Sequence, residues 1–115
     1  MTLDQYQEAA RRTQICDSSE DKLEHALFGL ASEAGEAAGI LQKTYQGHPH
    51  PFVSQITENH LVKELGDVLW MIAEAADAIG VSLDYIARIN LQKLKDRYPN
   101  GFEIERSLHR KEGDV

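Results

Sequence analysis

Glu33-Ala34-Gly35-Glu36 and Glu64-Leu65-Gly66-Asp67 flank the middle of this 115-residue chain. Each tetrapeptide sets two acids three residues apart, and on a helix residues i and i+3 share a side. Each also carries a Gly beside its second acid, which removes side-chain bulk and costs about 1 kcal/mol of helix stability relative to Ala. Four carboxylates on two helices, with a loop between them, make a candidate site for a hard divalent cation. Mg²⁺ suits it, because it takes oxygen ligands and commonly shares them with substrate phosphates; Mn²⁺ accepts the same donors.

Periodicity tests whether the two pairs can meet. With about 100° of rotation per residue, Leu23, Leu27, Leu30, Ala34, Ala38 and Leu41 form one stripe. Glu33 and Glu36 fall to one side of it by roughly 100° and 160°. On the next helix Leu61, Leu65, Val68, Leu69, Ile72, Ala76 and Ile79 form the stripe. Glu64 and Asp67 fall to the same side by roughly 80° and 140°. Antiparallel packing, stripe to stripe, then gathers all four acids on one side of the interface. Glu33 and Glu64 flank the core edge, with Glu36 and Asp67 further out. A short connection favours that antiparallel arrangement.

Outward from this pair, the chain reads as all-α, a four- to five-helix bundle in one domain spanning residues 1–115. A first helix covers residues 3–14, with Thr2 and Gln5 placed for a capping box. Tyr6 belongs to its thin apolar edge and reads as packing. Asp17-Ser18-Ser19 offers caps for a helix from about Glu20 to Tyr45, stopped by Gly47. Pro49 and Pro51 exclude regular helix from the next segment, a candidate lid carrying His48, His50 and Phe52. His-x-His in such a turn, even with His60 beyond it, lacks the spacing of a recognised zinc site. Ser54 or Thr57 caps the third helix, which runs to about Ala78 before Gly80. Glu74 and Asp77 repeat the acidic spacing there as a weaker pair, with Asp77 able to assist from behind. Trp70 lies opposite the main stripe, which predicts a second buried surface against the first helix, the fourth helix or another subunit.

Ser82 caps the fourth helix, whose core side is Leu83, Ile86, Ala87, Leu91 and Leu94. Asn90, Lys93 and Arg97 share another face, and an amide with two cations in a row makes a phosphate grip. Residues 103–115 are mostly charged and polar and read as a loose tail.

Composition narrows the function. The formal net charge is −7, which argues against duplex nucleic acid as a partner, since such a binder needs excess Lys and Arg. It leaves room for an anionic small substrate, because bound metal reverses the local charge. Cys16 is the single cysteine, so no intrachain disulfide forms, as suits a reducing compartment. No apolar run approaches a membrane span and the N-terminus lacks a signal-peptide core, so the expected location is cytoplasmic.

These residues resemble the MazG-like nucleoside triphosphate pyrophosphohydrolases, an all-α group related to dimeric dUTPases and phosphoribosyl-ATP pyrophosphatase. The family pattern is Glu-x-x-Glu, a spacer, then Glu-x-x-Asp, matched by Glu33, Glu36, Glu64 and Asp67. The likeness continues through "ELGDVLWMIAEAADAIGVSL" and "NLQKLKDRYPNGF" and covers most of residues 20–102. Ser32 and Lys63 stand where the family often carries an additional leading acid. The resemblance implies Mg²⁺-dependent hydrolysis of a nucleoside triphosphate to monophosphate and pyrophosphate. Glu33, Glu36, Glu64 and Asp67 are the expected metal ligands, with Glu36 also the expected general base. Asn90, Lys93 and Arg97 are the expected substrate contacts. A phosphoribosyl-ATP pyrophosphatase and a non-catalytic helical adaptor are the alternatives. A ferritin-like di-iron protein is disfavoured, because the chain contains no Glu-x-x-His. The family dimerises, so a homodimer or dimer of dimers is expected, with Trp70 near the subunit boundary.

Overall fold

In the computed structural model, which describes residues 1–46 and 54–115, each of the first four helices begins on a hydroxyl side chain. The first, α1 (Leu3–Ala10), follows Thr2, whose Oγ1 accepts from the Gln5 N–H at 3.1 Å while Gln5 Oε1 accepts from the Thr2 N–H at 2.8 Å. This is the expected capping box. A 3₁₀ turn, Arg11–Thr13, ends it. Ser18 caps α2 (Ser19–Tyr45), Ser54 caps α3 (Gln55–Ala78) and Ser82 caps α4 (Leu83–Arg97). Gly80, at φ 74°, takes the left-handed conformation that stops α3. The all-α class expected from the sequence is the class found. The candidate lid with His48, His50 and Phe52, and the stop at Gly47, lie outside the described residues. No helix among the described residues is long and apolar enough to cross a membrane.

Helices α2 and α3 form the central pair and run antiparallel. His25 meets Glu74, Gly29 meets Met71, and Glu33 meets Glu64 and Asp67, so ascending positions on α2 match descending ones on α3. The expected stripes hold in part: Leu23 and Leu30 on α2, and Leu61, Val68, Leu69, Ile72 and Ala76 on α3, are covered. Leu27, Ala34, Ala38 and Leu41 are exposed, and Ala26, Gly29, Glu33, Ala37 and Ile40 turn inward beside Leu30. On α3, Leu65 and Ile79 are exposed, while Leu61, Glu64, Val68, Met71 and Ala75 turn inward. Small residues let the backbones approach closely. A Cβ on Gly29 would lie 2.5 Å from Met71 Sδ. Gly35, Gly39 and Gly66 face open space instead.

The apolar core sits where α1, the second half of α3 and the start of α4 converge. Ala10, Ala73, Ala76 and Leu83 are buried there, with Tyr6, Trp70, Ile72, Val81 and Ile86 packed around them. Trp70 is partly buried against this core within one chain. Its Nε1 donates to Thr13 Oγ1 at 2.9 Å, and His25 meets its ring edge-on. The 3₁₀ turn after α1 thus meets its back face.

Polar groups lock α1 in place. Gln7 is buried; its Nε2 donates to Asp77 Oδ1 and the Val81 carbonyl, and its Oε1 accepts from the Leu83 N–H at 2.8 Å. Asp77 also accepts from Arg11 and Gln14. Burial pushes the Asp77 carboxyl up, but these donors outweigh it and hold the group below the usual carboxylate range. The second acidic pair is thus structural, Asp77 holding α1 and Glu74 holding His25 of α2.

Beyond Leu83, Ile86 and Ala87, α4 leaves the core. Leu91 and Leu94, expected on its core side, are exposed. The stretch expected as a loose tail contains α5 (Ile104–Leu108), and Asp114 binds back to Arg97. The Cα radius of gyration is 17.4 Å, well above the roughly 13–14 Å of a closely packed domain this long.

Candidate metal centre

The inward faces of α2 and α3 bring acids, beside Leu30 and Leu61, to their interface. One carboxylate oxygen from each of Glu33, Glu64 and Asp67 lies within 4.8 Å of the others. Glu33 and Glu64 are partly covered and Asp67 is exposed, the order expected from rotation. Glu64 Oε1 lies 3.3 Å from His60 Nε2, one turn earlier on α3. Glu64 Oε2 is buried and has no hydrogen-bond partner among the described residues.

Glu36, the fourth acid, lies outside that group of three. Burial pushes the Glu33 carboxyl up, and the negative charges of Glu36, Asp67 and Glu64 add to that. Mutually repelling carboxylates around a buried, unpartnered oxygen fit a divalent cation, whose charge would reverse each of these effects. Burial raises the Tyr6 hydroxyl pKa and the Asp67 charge adds to the rise, while Tyr6 packs on the core, as its sequence position suggested.

Asn90, Lys93 and Arg97 also come together. They line one side of a groove of about 760 Å³ whose other wall is α5 and the last residues, with Arg106, His109, Arg110 and Lys111. Arg97 is already engaged. Its Nε donates to Asp114 Oδ2 at 2.8 Å and its Nη2 to Oδ1, which raises its pKa further above the ordinary arginine value. None of the residues lining this groove belongs to α2 or α3. One chain therefore gathers the acids in one place and the cations in another.

Comparison with known proteins agrees with the acid pattern. Residues 21–102 match the family described as the MazG nucleotide pyrophosphohydrolase domain. The chain is similar to the Gene 37 protein of Mycobacterium phage L5, 36% identical over 107 residues, 88% of this chain and 92% of that protein. It is also similar to the uncharacterized protein YvdC of Bacillus subtilis (strain 168), 33% identical over 73 residues, 60% of this chain and 69% of that one. No solved structure matches. The family match takes in both acid pairs and all of α4, and with it the chain belongs to the MazG nucleotide pyrophosphohydrolase domain family.

Proposed function

We propose that this protein is a Mg²⁺-dependent nucleoside triphosphate pyrophosphohydrolase, converting (d)NTP to (d)NMP and pyrophosphate. The observation that carries this reading is the buried, unpartnered Oε2 of Glu64 within a cluster of acids on facing helices. A buried carboxylate oxygen without a donor is costly, and a metal ion is the partner that its acidic neighbours also require. Glu33, Glu36, Glu64 and Asp67 would hold Mg²⁺, or Mn²⁺ in its place. Bound there, the metal supplies charge neutralisation on the phosphate chain and a more acidic water. Glu36, exposed like Asp67, is suited to accept a proton from water. His60 edges the site and would help orient what enters it.

Asn90, Lys93 and Arg97 would grip phosphate or sugar oxygens. Because their groove shares no lining residue with the acid helices, we propose that a second copy of the chain completes the site, in a homodimer or dimer of dimers. Exposed Leu27 and Leu41 on α2, Leu65 on α3 and Leu91 on α4 support this, as does the open shape of the single chain. A single free cysteine suits a cytoplasmic enzyme.

The test is pyrophosphate release over a panel of ribo- and deoxyribonucleoside triphosphates plus phosphoribosyl-ATP, with and without Mg²⁺. Metal-dependent release that disappears in Glu64→Gln is the expected outcome. Turnover of phosphoribosyl-ATP alone would reassign the substrate. No release from any substrate would leave a helical adaptor.

A further inference from the structure

A second cluster of metal-ligating groups lies apart from the acid site. Cys16, in the connection before α2, His25, in the second turn of α2, and Glu74, on α3, each place one ligand atom within 4.8 Å of the other two. Three separate chain segments thus converge with a thiol, an imidazole and a carboxylate. That donor set differs in kind from the four acids of the first site. Thiolate and imidazole are the ligands of zinc-type ions, whereas Mg²⁺ takes oxygen.

The immediate surroundings are built and ordered. Glu74 is fully buried, and its hydrogen-bond partner is His25, whose Nδ1 lies 3.0 and 2.9 Å from the two carboxylate oxygens. A buried carboxylate requires a compensating partner, and a divalent ion supplies one. Trp70 stands edge-on to the imidazole at 6.1 Å between centroids and is itself fixed by Thr13, so the ring is held in orientation. Zinc held at about 2.0–2.1 Å by one nitrogen and one oxygen separates a tetrahedral pair by roughly 3.3 Å. The observed separations need to open by only a few tenths of an ångström to admit it. His25 is about half exposed, leaving a side open for water as a fourth ligand.

We propose that Cys16, His25 and Glu74 form a binding site for a zinc-type divalent ion, with solvent in the fourth position. The ion ties the α1–α2 connection to both central helices. Binding displaces the Cys16 thiol proton to solvent, and the imidazole binds in its neutral form.

The experiment uses the full-length protein, stripped with a chelator and kept reduced with a phosphine, titrated with Co²⁺ and then Zn²⁺. A thiolate-to-cobalt charge-transfer band saturating at one ion per chain, and bleached by Zn²⁺, is expected. The acid site contains no sulfur and cannot produce that band. Cys16→Ser should abolish it, and either Cys16→Ser or His25→Ala should weaken Zn²⁺ binding by about 100-fold or more, since even loss of an outer partner costs 10–100-fold. The double variant Glu33→Gln/Glu64→Gln should keep both band and affinity. Absence of the band in wild type, or unchanged Zn²⁺ affinity in His25→Ala, would overturn the proposal. Circular dichroism of each variant confirms that the helices persist.

Discussion

Glu33 on α2 and Glu64 on α3 face one another inside the helix interface, at positions where apolar residues would ordinarily pack. Like charges held this close destabilise the metal-free fold. Glu64→Gln should therefore raise the melting temperature without metal and cancel the further rise that Mg²⁺ gives wild type. Turnover should fall by about 100-fold or more. Differential scanning fluorimetry with and without Mg²⁺, alongside pyrophosphate release, checks both. A variant that still gained stability from Mg²⁺ would remove Glu64 from the ligand set. Asp67→Asn is expected to behave similarly.

Asp77 governs the acid limb of stability. Its carboxyl is held below the usual value, so the stability it contributes is fully present above about pH 4 and is lost as pH falls through the folded-state value. Asp77→Asn keeps the shape but weakens the bonds from Arg11, Gln7 and Gln14. It should cost about 1.5–3 kcal/mol at neutral pH, the range for hydrogen bonds to a charged group. The gap between wild type and variant should close as pH drops towards 3. Urea melts at several pH values measure this, and a gap that persisted at low pH would contradict it.

The glycines separate packing from open surface. Gly66 faces open space in the single chain, so Gly66→Ala should stabilise a monomer by about 0.5–1 kcal/mol through helix propensity. Gly29→Val, pressed against Met71, should destabilise by about 1–3 kcal/mol through overpacking. Light scattering adds a second readout. A Gly66→Ala protein that loses stability and dissociates would put Gly66 in a subunit contact.

The phosphate grip can be tested from both of its walls. Lys93→Ala should slow triphosphate turnover by about tenfold or more with a melt changed by no more than about 0.5 kcal/mol. Asp114→Asn weakens the internal hold on Arg97 and should lower KM for the triphosphate, because phosphate would no longer displace a carboxylate from the guanidinium. An unchanged KM would mean that Arg97 does not meet the substrate.

Helix limits were legible because caps act locally. Thr2, Ser18, Ser54 and Ser82 each bond a backbone group three residues on, and Gly80 takes the turn that only a residue without a Cβ adopts freely. The acid pairs were legible for the same reason, since i and i+3 are neighbours on any helix. The contact faces were legible in part, through Leu30, Leu61 and Val68. Reading the largest apolar residues as the core selected Leu27, Leu41 and Leu65, which face outward. The real interface uses Ala26, Gly29 and Ala37, whose small size is what allows the close approach. The Trp70–Thr13 contact joins residues 57 positions apart. The His25–Glu74, Arg97–Asp114 and Arg11–Asp77 pairs join residues with no periodic relationship. Only the folded chain reveals them.

Gln7 gives the corner between α3 and α4 an unusual governor. Its amide bonds Asp77 at the end of α3, the Val81 carbonyl in the turn and the Leu83 N–H at the start of α4. Apolar contacts hold only the start of α4, so this amide helps fix the direction in which the helix points. Fifteen residues at 1.5 Å each make a lever about 22 Å long. A swing of about 10° at the corner would carry its Arg97 end through roughly 4 Å, more than the length of a hydrogen bond. The reach of a cation is thus set in part by a neutral side chain at the far end of its helix.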